Sequence, residues 1–448
     1  MADTPQQAEV IEREEQLFAP FAHTIAKNNK LIGLEAEKFG LKRDGTPLRF
    51  HDVQLILQEL SEKFGWNPYR ETPTSPLIAL EKDGASITLE PGSQFELSGA
   101  PFASVHEVAD EVDEHKRQLA ACESAKGFHW LGMGYHPTAR EAELDWVPKA
   151  RYPIMQRYLP TAGSRGLLMM RRTATVQANF DFGSERDAMK KLQCALAMAP
   201  IVQAIFAASP FVEGQSTPYA SYRAHVWLDV DNSRAGLVAP VWKADAQLGD
   251  YVQWALGARM FVVKRGEVIT DATSTTFGAF LKHGFEGHRA TQADWETHLN
   301  TLFPEVRIKR TLEVRSADCV PARYGNALPA LYAGVLYDGE ALDAVHARLV
   351  PLGHDAFAAA RQQIPTRALL ATVGDEPLAN LADFVIEHAL AGLARRAIKD
   401  HAGRDERYYV EPIVDFVRAR KSIGQALMAD CCNQGKVSLD ALTRVMAY

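Results

Sequence analysis

The sequence predicts an α+β domain built on a mostly antiparallel sheet, with a helical C-terminal part. Segments of regular polar–apolar alternation recur along the chain, the mark of strands with one buried face. An Asp-Gly pair, Asp83-Gly84, joins two such segments as a hairpin turn. From about residue 325 onward almost only helical periodicity is left. The 448 residues are 47% hydrophobic and 23% charged, an ordinary globular composition, and we expect 1–448 to form one main domain.

Within 1–30, residues 8–29 read as a helix rich in Glu and Ala. The strand "LIGLEAEKF" follows, then a helix from Asp52 to about Phe64. "LIALEKDGASITLE" is the hairpin. Residues 104–126 are helical, and "FHWLGMGYHP" is a strand stopped by its proline. A loop with scattered Pro and Gly surrounds a short helix at 151–159. "TATVQANFDF", Thr173–Phe182, alternates almost without a fault, and Ser184 then caps a long Ala-rich helix to about Ala208. An irregular segment runs to about 250. The strand "RMFVVKRG", helices near 275–283 and 291–302, and one strand "RIKRTLEVRS", Arg307–Ser316, complete the sheet-forming part.

Several function classes are excluded by composition and motif. Net charge is −7 with no basic stripe, which argues against nucleic acid as a partner. Five scattered cysteines, Cys122, Cys194, Cys319, Cys431 and Cys432, form no C-x-x-C pair and suggest a reducing compartment. The first residues are polar and acidic, unlike a signal or transit peptide. No apolar run approaches the length of a membrane span, so the expected location is the cytoplasm. No P-loop, G-x-S-x-G or H-E-x-x-H occurs.

What remains are the polar faces of the strands. Glu35 and Glu37 share one face of the first strand. Glu90, Gln94 and Glu96 share a parity in "ITLEPGSQFELSG", although Pro91-Gly92 permits a bulge there. Thr173, Thr175, Gln177, Asn179 and Asp181 share one face, and so do Lys309, Thr311, Glu313 and Arg315. A sheet facing water would account for one such strand. Water-facing strands favour Thr, Lys and Arg, however, and like charges at i, i+2 repel unless a cation lies between them. Five carboxylates on three strands fit hard divalent ions, Mg²⁺ best, shared with phosphates. Arg171, Arg172, Arg223 and Arg315 can hold carboxylate or phosphoryl oxygens bidentately.

The stretches "GLEAEKFG", "LEPGSQFELSGAP", "MMRRTATVQANFDF", "FPEVRIKRTLEVRSAD" and "ALPALYAGVLYD" together resemble the plant-type glutamate–cysteine ligases, which also occur in many proteobacteria. The likeness runs in order from about Asn29 to the C-terminus. It implies a glutamine-synthetase-like fold, an antiparallel sheet curved around the site and flanked by helices. It also implies ATP-dependent ligation of L-glutamate to L-cysteine through γ-glutamyl phosphate, a step of glutathione synthesis, with Mg²⁺ as cofactor. By position in the motifs, Glu35, Glu37, Glu90, Glu96 and Glu313 are the expected metal ligands. Arg315 and Arg151 are the expected catalytic arginines. Arg223, Arg171, Gln94, Gln177 and Asn179 are expected at the substrates. The chain is expected to be a monomer or homodimer. A ligase using another amine, or a non-catalytic binding protein on the same fold, are the alternatives. One departure is plain: "DATSTTF" has Ala272 where plant members carry a cysteine, and "KHGFEGHR" has none near the second position, so the plant thiol pair is not expected.

Overall fold

The computed structural model describes residues 9–27 and 29–448. Its central strand is β1 (Ile32–Lys42), eleven residues long and buried on both faces for most of its length. In chain order there follow β2 (Asn67–Tyr69), β3 (Ala79–Lys82), β4 (Ala85–Leu89), β5 (Phe95–Ser98), β6 (Phe128–Leu131) and β7 (Val176–Phe180). The last two are β8 (Val306–Ile308) and β9 (Leu312–Val314). They make one sheet in the order β8-β9-β7-β1-β5-β4-β3-β2, with β6 paired to the far half of β1. Every neighbouring pair is antiparallel, so the α+β expectation holds. The Asp83-Gly84 turn joins β3 to β4 with both residues at positive φ, 50° and 89°, as a two-residue hairpin requires.

One face of the sheet is apolar. Leu34 lies opposite Ala178, Ala36 opposite Leu97, and Leu312 opposite Phe180, all buried. The helices Val105–Ala121 and Ala327–Leu336 cover this face. Every residue of Ala327–Leu336 is buried, which is why "ALPALYAGVL" shows no polar stripe. Behind it crosses Leu378–Arg396, and the two backbones touch at a pair of glycines. A Cβ on Gly392 would fall 1.8 Å from the Gly334 carbonyl oxygen, so no other residue fits that crossing.

Four expectations change. Of the expected helix 8–29, residues 8 and 28 lie outside the described ones; between them lie a 3₁₀ turn, Glu14–Phe18, and a helix, Ala19–Lys27. A second short helix, Gly166–Arg172, precedes β7, whose ladder starts only at Val176. "RIKRTLEVRS" is not one strand but two, β8 and β9, folded back over Lys309–Thr311. The C-terminal part is mostly helical but carries two hairpins, Thr372–Val373 with Glu376–Pro377 and Cys432–Asn433 with Lys436–Val437. Among the described residues no helix is long and apolar enough to cross a membrane.

Candidate active site

Strand register gathers the acidic residues on the face opposite that core. Glu37 lies directly across from Glu96, and Glu96 across from Thr88. Glu35 lies across from Gln177, and Glu313 sits between Asn179 and Arg307. This face is not wet: Glu37 is 8% exposed, Glu96 7%, Gln177 3% and Glu313 0%. A water-facing sheet would leave these side chains open; this face is covered instead, and Glu37 alone of the four borders a built site.

That site is a cavity of about 290 Å³ lined by Glu37, Glu90, Gln94, Arg151, Arg223 and Arg315, with Met155, Trp227, Phe261 and Phe303 as an apolar wall. Glu90 reaches it because the chain turns sharply after β4. The Ser93 N–H donates to the Glu90 carbonyl at 2.9 Å, and Ser93 takes a φ of 68°. Gly92 in the same turn lies against the Arg171 backbone, where a Cβ would fall 2.2 Å from the carbonyl oxygen. "EPGSQ" is therefore a turn that aims a carboxylate, and glycine is obligatory in it.

The carboxylates crowd one another. Burial, with the neighbouring charges of Glu90 and Glu96, holds the Glu37 carboxyl well above the usual carboxylate range. Burial, Glu90 and Glu35 push Glu96 up to about 8. Glu35 is raised by burial and by Glu313. Groups this crowded by like charge and desolvation could accommodate a cation or a positively charged ligand. The donors are all oxygen, which suits a hard ion and excludes a thiolate or imidazole centre. Among the described residues, however, no three His, Cys, Asp or Glu side chains converge as a finished metal cage.

Glu313 differs from the others. Arg307 donates to both its oxygens, Nη2 to Oε1 at 2.9 Å and Nε to Oε2 at 3.0 Å, and Lys309 and Arg315 add further ion pairs. Burial would raise this carboxyl, but Arg307, Lys309 and Arg315 outweigh it and hold Glu313 well below the usual range. Arg307 also donates to the carbonyls of Asn300 and Leu302. Replacing Arg307 by Ala removes both of these anchors and the bidentate pair from a fully buried carboxylate. We expect Arg307→Ala to destabilise the fold by about 3–5 kcal/mol, the scale for breaking a buried ion pair, measured by urea denaturation. A loss under about 1 kcal/mol on that same scale would show that Lys309 and Arg315 suffice.

The remaining expected residues divide by contact. Gln177 accepts from Arg315 Nη1 at 2.6 Å, aiming that guanidinium into the cavity, and its amide faces Glu37 at 3.4 Å. Asn179 donates to Glu35 Oε1 at 2.8 Å and accepts from Thr311, so it ties Glu35 to the β8–β9 turn and does not line the cavity. Gln94 lines the cavity, but its amide is fully engaged with backbone, donating to Met170 and Thr173 carbonyls and accepting from Gly92. Arg223 points in, with Nη1 and Nη2 each 2.9 Å from the carbonyls of Ser316 and Arg315. Arg151, at the head of the helix Tyr152–Ala162, lines the cavity beside the Tyr152 ring.

Arg171 requires correction. It was expected at the substrate, but it lies at the end of the helix Gly166–Arg172, buried and turned away from the cavity. Its guanidinium binds the Leu144 carbonyl and Glu141 and stacks 4.6 Å from Trp146. Arg172 likewise turns away, to Glu213, the Ala139 carbonyl and the Tyr135 ring. Asp181 closes the strand outside the site, accepting from Leu31. The reading of the sequence missed Arg307, although its odd parity in "RIKRTLEVRS" was there to be read. It also missed Lys149, a buried amine near Glu90 and Glu96 in the same "PKARYPIM" stretch as Arg151.

Comparisons with known proteins place the chain in a family. The family profile described as glutamate-cysteine ligase family 2 matches residues 31–445. The chloroplastic glutamate–cysteine ligase of Brassica juncea is 38% identical over 447 residues, 98% of this chain and 85% of that one. Glutamate–cysteine ligase B of Oryza sativa subsp. japonica, also chloroplastic, is 38% identical over 399 residues, 88% of this chain and 80% of that one. Among solved structures, a glutamate–cysteine ligase from Francisella tularensis in complex with AMP has a TM-score of 0.57 at 13% identity. The match covers 94% of this chain and 89% of the other. A bifunctional glutathione synthetase from Pasteurella multocida has a TM-score of 0.51 at 11% identity, covering 96% and 53%. At such identities the structures speak to the fold alone, and that fold is glutamine-synthetase-like.

Proposed function

The chain belongs to glutamate–cysteine ligase family 2, and from that premise we propose that it joins the γ-carboxylate of L-glutamate to the amine of L-cysteine with ATP. The γ-carboxylate oxygen attacks the terminal phosphorus of ATP and ADP leaves. The amine of cysteine then attacks the acyl carbon of γ-glutamyl phosphate, and phosphate leaves with γ-glutamylcysteine as product, the entry to glutathione. The observation that carries this reading is the cavity itself. It sets Glu37 and Glu90 against Arg151, Arg223 and Arg315 in a space closed on one side by apolar side chains.

Each residue then has a task. Arg223 holds a glutamate carboxylate, its guanidinium pre-aimed by two carbonyls. Arg315, oriented by Gln177, and Arg151 meet the charge on the transferring phosphoryl oxygens. Glu37, Glu90 and Glu96, with Glu35 beside them, would hold Mg²⁺, which supplies charge neutralisation to the phosphates of ATP. Glu313 serves chiefly as the anchor of Arg307 and Arg315. The five free thiols suit a reducing compartment, and we assign the protein to the cytoplasm. Ala272 is fully buried and offers no sulfur, so we assign no thiol switch at that position.

The experiment is release of ADP by the purified protein with Mg²⁺, glutamate and a panel of amines. Cysteine should lead by a wide margin, and 2-aminobutyrate should still react, because one small group changes pocket binding by only ~1–3 kcal/mol. Equal rates with cysteine and putrescine would move the assignment to a ligase for another amine. ADP release with no dependence on any amine would rule out ligation.

A further inference from the structure

We propose that Asp318 is a positioning residue that acts through Arg223 and sets how tightly the site holds glutamate. The inference rests on the assignment of Arg223 to glutamate binding made above. Asp318 lies just beyond β9, and its side chain is fully buried. Its Oδ2 accepts from the Ala208 N–H at 2.9 Å and from Ser209 Oγ at 2.6 Å, and its Oδ1 accepts from Ser221 Oγ at 2.9 Å. Both serines pass the contact on. Ser209 Oγ accepts the backbone N–H of Arg223 at 3.2 Å, and Ser221 Oγ accepts that of Ala224 at 2.9 Å.

The carboxylate therefore holds the chain on both sides of Arg223, at the start of the short helix Tyr222–Val226. It also stands 3.8 Å from Arg223 Nη1, on the side away from the cavity. Gly134 closes the space behind it, since a Cβ there would fall 2.2 Å from Asp318 Cγ. Arg223 and Arg315 are both turned into one cavity, and two like charges so placed repel unless something anionic backs them. Asp318 supplies that backing for Arg223 without touching substrate. Because Asn has the same shape but no charge, and brings an N–H₂ where donors already point, Asp318→Asn removes the function while nearly preserving the volume.

The test is steady-state kinetics of the full chain as Asp318→Asn, Arg223→Gln and the double variant. Asp318→Asn should raise the glutamate KM by about 30-fold while moving the ATP KM less than about threefold, within the coupling range of residues in contact. On the Arg223→Gln background the same change should add less than about threefold, because the residue it acts through is already gone. Equal losses on both backgrounds, or equal rises in both KM values, would overturn the proposal and leave Asp318 a structural residue. If Asp318→Asn does not fold, Ser221→Ala carries the same cycle, with about a fivefold rise expected on the parent and none on Arg223→Gln. An unchanged glutamate KM in Arg223→Gln would overturn the assignment of Arg223, and this proposal with it. A raised glutamate KM in Arg223→Gln, with Asp318→Asn costing the same on both backgrounds, overturns this proposal alone.

Discussion

Glu37→Gln should lose activity by about 10²–10³-fold while the protein stays folded, the loss expected when one preorganised charge is removed from a transferring-phosphoryl site. Glu37 is central to the sheet, on β1 opposite Glu96, and lines the cavity. Glutamine keeps the shape and the contact with Gln177, but it cannot bring negative charge to a cation. Stability should move the other way. The Glu37 carboxyl is held above its ordinary range by burial and by Glu90 and Glu96. Between the ordinary range and that raised value, the folded state carries more protons than the unfolded state, so this group's contribution falls as pH rises. Removing it should leave the metal-free variant at pH 8 with a melting temperature equal to or above the parent's. Calorimetry beside the ADP assay separates the two effects. Near-normal turnover in Glu37→Gln would remove Glu37 from the chemistry, and a large drop in melting temperature would make its role structural.

Arg315→Ala should lower kcat by about 10³-fold or more, the range for an arginine that meets a transferring phosphoryl group. The guanidinium bridges Gln177 and Glu313 at the edge of the cavity. Its loss does not strand Glu313, which keeps Arg307 and Lys309. This is why Arg315→Ala should fold although Arg307→Ala is expected to be badly destabilised. An interaction made only in the transition state lowers kcat and kcat/KM equally. Arg315→Lys should recover only part of the rate, because an ammonium keeps the charge without the planar fork. A variant that keeps kcat but raises the glutamate KM would transfer Arg315 to substrate binding.

The strands that carry the site were legible because alternation and burial coincide in them. β1 and β7 place Glu35, Glu37, Gln177 and Asn179 on one face by parity alone, and the register sets them side by side. The β8–β9 hairpin was not legible, since Lys309-Arg310-Thr311 contains no Gly, Asn or Pro, and Arg310 is a single interruption of an alternation that resumes in phase at Leu312. Arg171 misled for a different reason. It was expected at the substrate, but it ends a helix, where side-chain direction follows helical and not strand geometry. Gln94 was expected at the substrates, and it does line the cavity, but its amide is held by backbone. Its contacts are backbone groups of Met170 and Thr173, distant in sequence, and no local pattern encodes such a meeting. Arg307 and Asp318 belong to the same class: their residue types were visible, but their ion pairs depend on tertiary placement.

On the proposed mechanism the γ-carboxylate of glutamate is activated by phosphoryl transfer inside this cavity. Glutamate labelled with ¹⁸O in the γ-carboxylate, incubated with the protein, Mg²⁺, ATP and cysteine, tests it most directly. Each γ-glutamylcysteine formed should be matched by one inorganic phosphate carrying one ¹⁸O atom, seen by the isotope shift in its ³¹P resonance. Phosphate free of label alongside formation of the dipeptide, or label appearing in AMP, would contradict it.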